Sequence, residues 1–346
     1  MDNWVLMSPK KLVNHTDYAQ SVMRALNPDE IRVKVSHILV TDFDALVYTG
    51  TTNAICPKTI GHAALGIINE TGPDVLTFRK GQRVYLRAAK PCGKCMACRS
   101  GHPEKCVTPI LAGKDFDGYL RDMLICKAPD IMYIPEGISD IHALCTEAVG
   151  IAEAIYDRLK LNAGDKVAVV GMGFYGNIIA QTLKYHKIVP IGIDNNTENL
   201  LRSERAGVFF NFAADDDLLA NIKSVTSGNF CDAAIYCAAS HISPTVAARV
   251  CSSGKTIILT SPSAHNSSID IHEILEKSLI VTAITTAYGY TASAVRLLQN
   301  NAINTDFYEK KIYKDVAYDP VAILEERDEN SSNYKANKLT IIQTVI

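Results

Sequence analysis

The chain has 346 residues, 47% hydrophobic and 21% charged, a balance that excludes general disorder and leaves room for about two domain-sized cores. Net charge is −2, from 35 Lys and Arg against 37 Asp and Glu, so no long-range field favours nucleic acid or an anionic membrane, and neither is expected as a partner. Ten cysteines call for either a disulfide framework or a reduced chain with thiolate chemistry.

Residues 1–10 have no basic start followed by an apolar core, so a secretory leader is not read there, and a cytoplasmic, reducing setting is expected. No apolar run approaches the roughly 18 residues of a membrane-spanning helix. The cysteines are then metal ligands, reactive groups or small buried hydrophobes.

In chain order, residues 31–35, 63–70 and 82–86 predict strands. Turn signals punctuate them at Thr71-Gly72-Pro73, Lys80-Gly81, Asp117-Gly118 and Pro135-Glu136-Gly137. Dense short strands predict a β-rich, barrel-like first part. The texture changes near Asp140, and residues 143–159 predict one helix. Strand-like segments at 167–170, 189–193, 233–237 and 256–260 then alternate with helix-like ones at 177–184 and 198–205. That alternation predicts an α/β domain with a parallel sheet. Residues 325–333, charged and polar, predict a solvated loop or helix end.

Two motifs carry chemistry. Cys92, Cys95, Cys98 and Cys106 follow a C-x2-C-x2-C-x7-C spacing. Four thiolates can close a tetrahedral shell around one structural Zn2+, leaving no position for water. The same spacing also suits an iron–sulfur cluster, a reading disfavoured because no second cluster or redox-partner region is visible. The second motif is Gly171-Met172-Gly173-Phe174-Tyr175-Gly176, placed between a strand and a helix. Its glycines permit the tight turn, the approach of a pyrophosphate, and close helix packing, and the helix N-terminus favours phosphate. Asp194 ends the next strand, eighteen residues beyond Gly176. A carboxylate there accepts the adenosine ribose hydroxyls and repels a 2′-phosphate, so NAD(H) is expected over NADP(H). The expected cofactor contacts are Gly171, Gly173, Phe174, Tyr175, Gly176 and Asp194.

These residues resemble the zinc-containing medium-chain dehydrogenase/reductase family, which includes alcohol, sorbitol, threonine and sugar-alcohol-phosphate dehydrogenases. Thr41-Asp42 resembles the end of its first-ligand motif, Gly61-His62 its Gly-His-Glu, Gly81-Gln82-Arg83-Val84 its Gly-Asp-Arg-Val, and Asp117-Gly118-Tyr119 its next turn. Glu147 falls where polyol dehydrogenases carry a metal-ligand glutamate. The resemblance weakens after about Ser261. It implies a GroES-like β-barrel catalytic domain over 1–149 and 289–346, with a structural-zinc lobe at about 90–107, and a Rossmann NAD(H)-binding domain over 150–288. It also implies a dimer or tetramer associating through the Rossmann sheet edge, near residues 271–285.

The departures concern the chemistry. The family's catalytic-zinc cysteine position is Leu39, and the glutamate of Gly-His-Glu is Ala63. Only His62 and Glu147 remain of the metal set, whereas a catalytic zinc takes three protein ligands and a water. Cys56, His37 and Cys145 are nearby alternatives without the family spacing, and a second, catalytic zinc is not expected. Thr41, His62 and Glu147 are the candidate catalytic residues: Thr41 as the relaying hydroxyl, His62 as proton donor with a pKa near 6.5, Glu147 to orient it or bind substrate hydroxyls. Asp42, Asp44 and Tyr48 are weaker candidates, with Asp44 expected on the solvated surface. The expected function is NAD(H)-dependent hydride transfer between nicotinamide and a secondary alcohol or ketone of polyol or sugar-derived type. Two alternatives accompany it: a zinc-independent reductase of an activated carbonyl or double bond, and a non-catalytic NAD(H)-binding homologue.

Overall fold

The structure is a computed structural model and describes residues 2–15, 18–238, 242–260, 268–306, 308–314, 319–328 and 338–344. The chain divides into two compact units. One comprises Met1–Glu147, Thr291–Gln299 and Glu309–Ile346; the other comprises Ala148–Tyr290 and Asn300–Tyr308.

The first unit is organised by the strand Glu30–Val40. Its first half pairs antiparallel with Met123–Lys127, its second half with Lys338–Gln343, and its opposite edge with Ala63–Thr71. The 63–71 strand continues the sheet to Arg83–Leu86 and Ile131–Tyr133, and Glu309–Lys314 closes the other end beside 338–343. A strand that must satisfy three neighbours is buried along most of its length. Ile31, Val33, Val35 and Ile38 accordingly sit in one core with Ile60, Ile68, Leu86 and Ile342. Their burial is the main driving force for this unit.

The second unit is a six-stranded, all-parallel sheet. Its order is Phe210–Phe212, Val189–Ile193, Lys166–Val170, Cys231–Tyr236, Cys251–Leu259 and Ile280–Ala283. Counted along the chain this is 3-2-1-4-5-6, the doubly wound dinucleotide order whose ligand crevice opens at the reversal beside the first strand. The central strands are continuous apolar runs, as two covered faces require. One core contains Ala168, Val170, Ile191, Ile193 and Tyr236, the other Val167, Val169, Ile179, Leu183 and Ile235.

The predicted helix over 143–159 is two helices, Asp140–Leu144 and Thr146–Leu159. The Thr146 hydroxyl donates to the Ala143 carbonyl at the break, a side-chain bond that competes with the helical ladder. Residues 326–328 follow the helix Pro320–Glu325, but Arg327 there is buried, contrary to the solvated expectation. The remainder of that predicted loop, 329–333, lies outside the described residues. No described helix is long and apolar enough to cross a membrane.

Candidate functional site

The cysteine lobe is built from the short helix Met96–Arg99 and the 3-10 turn Pro103–Lys105. The ligand atoms of Cys92, Cys95, Cys98 and Cys106 all lie within 4.8 Å of one another. Sγ–Sγ separations are 3.5 Å for Cys95–Cys98, 3.9 Å for Cys95–Cys106 and 4.0 Å for Cys92–Cys98. A zinc–sulfur bond of about 2.3 Å requires tetrahedron edges of about 3.8 Å, so the donor set fits one tetrahedral ion. The Thr108 hydroxyl, donating to Cys92 Sγ at 3.3 Å, holds that thiol down at about 5. The Cys98 amide lowers Cys95, while desolvation pushes Cys98 up to about 12.

In the second unit, the strand Lys166–Val170 turns at Gly171 into the helix Phe174–Tyr185, with Gly173 as its N-cap. Gly171 has φ +97°, and a Cβ on it would meet Ala238 Cα at 2.4 Å. A Cβ on Gly176 would lie 1.8 Å from the Gly171 carbonyl oxygen, whereas one on Gly173 would meet nothing within 4 Å. The first and third glycines therefore pack the turn, and the second keeps its approach open. Phe174 and Tyr175 meet edge to face at 5.4 Å. Asp194 is buried. It accepts the Met172 amide at 2.6 Å, the Asn196 amide at 2.8 Å and Asn199 Nδ2 at 3.0 Å. It thus fastens the glycine turn to the end of the neighbouring strand. Arg202 in turn donates to Asn199 Oδ1 at 3.2 Å. Sequence reading missed Asn199 and Arg202. The available signal was that they stand three residues apart on the helix Thr197–Arg205, which starts just after Asp194, so that they share one face.

In the first unit, Thr41 caps the helix Asp42–Thr49. Its amide and its hydroxyl both donate to Asp44 Oδ2 at 2.8 Å, and the backbone amide of His62 also bonds this carboxyl. Asp44 is 3% exposed, which corrects the expected solvated position; burial raises its pKa to about 6. Tyr48 is likewise buried, and Asp42 lies 3.5 Å from Arg327 Nε. His62 is buried against the Phe43 ring, 4.6 Å between centroids. Its Nδ1 is 3.4 Å from the Ala112 carbonyl oxygen and its Nε2 is 4.0 Å from Glu147 Oε1. Burial lowers the His62 pKa to about 4, so the expected value near 6.5 is corrected and the imidazole is neutral at pH 7. The Tyr85 hydroxyl donates to Glu147 Oε2 at 3.4 Å. The fold therefore brings Thr41, Asp44 and His62 together through one carboxylate, and His62 and Glu147 through facing polar ends.

Residues 27–136 match the family model of the alcohol dehydrogenase GroES-like domain. Sorbitol dehydrogenase of Halalkalibacterium halodurans is 27% identical over 212 residues, 60% of this chain and 62% of that relative, so the chain spans about three-fifths of its length. The chain is similar to the zinc-containing medium-chain dehydrogenase/reductase family, and residues 27–136 carry its alcohol dehydrogenase GroES-like domain. Among solved structures, a zinc-binding dehydrogenase candidate of Sinorhizobium meliloti bound to NADP superposes with TM-score 0.82, at 20% identity over 99% of this chain and 98% of that one. The short chain alcohol dehydrogenase rspB of Escherichia coli, complexed with NADH, superposes with TM-score 0.81, at 23% identity over 99% of each chain. The fold is a GroES-like domain with a Rossmann-type parallel-sheet domain.

Within that family pattern, the catalytic-metal position is depleted. Leu39 and Ala63 are both buried. None of the three alternative donors joins His62 and Glu147. His37 Nε2 is 4.0 Å from Asp140, and Cys145 donates to the Ile141 carbonyl with its thiol pushed up to about 12 by burial. Cys56 packs against the core. Among the described residues, the four-cysteine lobe is the one group of three or more His, Cys, Asp or Glu side chains with converging ligand atoms. The donor set at His62 does not fit a catalytic zinc.

Proposed function

We propose that this chain is an NAD(H)-dependent oxidoreductase that interconverts a secondary alcohol and a ketone, of polyol or sugar-derived type, at a site without a catalytic zinc. The observation that carries the reading is the Thr41–Asp44–His62–Glu147 constellation. Four polar groups are kept in an otherwise apolar interior, where burying them is costly unless they are paired or used. The family resemblance and the glycine turn support the cofactor, and Asp194 supports NAD(H) over NADP(H).

The turn Gly171–Gly176 would hold the dinucleotide, which when bound would supply a hydride acceptor for the alcohol carbon. His62, neutral and with Nδ1 facing the Ala112 carbonyl, presents Nε2 as the acceptor of the hydroxyl proton. Glu147, fixed by Tyr85, orients the substrate hydroxyls. Asp44 takes the Thr41 hydroxyl proton in a hydrogen bond and holds this hydroxyl in place, leaving its oxygen to accept a hydrogen bond from a substrate hydroxyl. Without a Lewis acid on that oxygen, turnover is slow relative to metal-containing relatives. One Zn2+ in the cysteine lobe serves structure alone. The Rossmann edge strand Ile280–Ala283, which exposes Ile280 and Val281, supports a homo-oligomer.

A panel of polyols with NAD+ and ketoses with NADH, with metal content measured on the same sample, tests this. Turnover with one zinc per chain is expected; two zincs would overturn the metal-free site. A second reading, a nucleotide-binding protein without turnover, draws on the apolar Leu39 and Ala63. NADH binding with silence across the whole panel would select it.

A further inference from the structure

We propose that a second cavity in the first unit binds a small organic carboxylate on Arg121. The cavity has a volume of about 230 Å³, room for several waters or one small organic molecule. None of the Thr41, His62 and Glu147 side chains lines it. Leu86, Leu124 and Ile125 supply apolar wall, and Arg121 enters among them.

The charges around the cavity are unequal in their commitments. Lys90 is held by Asp130 at 3.0 Å and lies 4.6 Å over the Phe116 ring. Asp117 Oδ1 accepts the Thr59 amide at 3.1 Å. The Tyr18 hydroxyl accepts the Met123 amide at 3.0 Å. Arg121 differs. Its Nε is buried and finds no acceptor among the described residues, and no described carboxylate oxygen comes within the 4.0 Å of an ion pair. Asp117 acts on it only through its field, while burial lowers the pKa of the guanidinium. Arg121 is half-buried, with its Nε sealed from solvent and unpaired; a sealed donor without an acceptor is destabilising, and a planar carboxylate is the natural two-point partner of a guanidinium. Apolar walls favour a ligand with an apolar body. Asp117 and Asp130 also line the cavity, and their carboxylates oppose a dianion more strongly than a single negative charge, so the class is a monocarboxylate and not a phosphate.

The test is calorimetric titration of the zinc-loaded full chain with benzoate, with benzyl alcohol as its neutral counterpart, and with inorganic phosphate. Saturable benzoate binding is expected, at least tenfold tighter than either comparison ligand. Arg121→Gln should weaken benzoate at least tenfold and leave the thermal midpoint without ligand unchanged or higher, because it removes a charge with no partner. Ile125→Phe, which keeps the charge and fills the space, should also weaken benzoate at least tenfold. Absence of benzoate binding, equal binding of benzyl alcohol, or unchanged binding in either variant would overturn the proposal. A lower unliganded midpoint in Arg121→Gln would assign Arg121 a structural role instead, and phosphate binding as tight as benzoate would overturn the ligand class.

Discussion

Leu39 and Ala63 are register partners across the antiparallel strands Glu30–Val40 and Ala63–Thr71. The two positions at which the family resemblance implies polar residues, and where this chain has apolar ones, are therefore one patch in space. Two polar-to-apolar changes that face each other relieve each other, since a lone polar group left opposite leucine would be buried without a partner. Restoring one member should restore a metal site. Leu39→Cys is expected to raise bound zinc from one to two per chain, read by metal analysis after dialysis. A ratio that stays at one would show that His62 and Glu147 do not point where a metal needs them.

His62 and Asp44 should impose opposing pH dependences on stability. His62 is held at about 4 by burial, against about 6.5 when unfolded. The unfolded chain binds that proton first, so this contribution is present above pH 6.5 and is lost as pH falls toward 4. Asp44 is raised to about 6 by burial, against about 3.9 when unfolded. The unfolded chain releases that proton first, so its contribution is present below about pH 4 and is lost as pH rises toward 6. Each leg is worth about 3 kcal/mol, and between pH 4 and 6 they nearly cancel. Asp44→Asn should leave a stability that climbs by about 3 kcal/mol from pH 4 to 6.5, measured by urea unfolding. His62→Gln should leave one that falls over the Asp44 range. Parallel profiles for both variants would contradict the two burial shifts.

The two glycines of the nucleotide turn should separate folding from binding. A methyl on Gly176 collides with the Gly171 carbonyl, so Gly176→Ala should cost about 3 kcal/mol or more and abolish NADH binding. A methyl on Gly173 meets only open space. Gly173→Ala should keep the wild-type thermal midpoint while weakening NADH at least tenfold by fluorescence titration. Unweakened NADH binding in Gly173→Ala would remove this turn from the cofactor site.

Loss of one thiolate should release the lobe. Cys95→Ser is expected to drop zinc from one per chain to none and to open the segment around residues 90–107 to limited proteolysis. The thermal midpoint should fall by several degrees, an effect of order 3 kcal/mol. Retained stoichiometric zinc would show that the lobe is not its seat.

The edge strand Ile280–Ala283 offers unpaired backbone groups and two exposed aliphatic side chains, a surface that proteins cover or pair. Ile280→Lys should convert a dimer or tetramer to smaller species in light scattering. A wild-type chain that runs as a monomer at every concentration would reject the oligomer.

Spacing within one loop or one turn was legible from the residues alone. Four cysteines within fifteen positions close on themselves whatever surrounds them, and Gly171 to Gly176 form a strand-to-helix turn from local sterics. Alternating strand and helix patterns likewise implied the parallel sheet, since its central strands are apolar on both faces. Burial of the polar groups was not legible. Asp44 reads as a surface carboxylate because its neighbours in sequence are helical and partly polar, yet the His62 amide and the field of Arg327 reach it from distant segments. Arg327 sits in a run of charges and still points inward to Asp42. The pairing of Leu39 with Ala63 needed the register of two strands, and the isolation of Arg121 needed every acid around it to be placed. Local spacing determines a motif because its atoms are tied by a few bonds. Dielectric surroundings and cross-strand partners are set by segments tens to hundreds of residues away, and only the tertiary structure decides them.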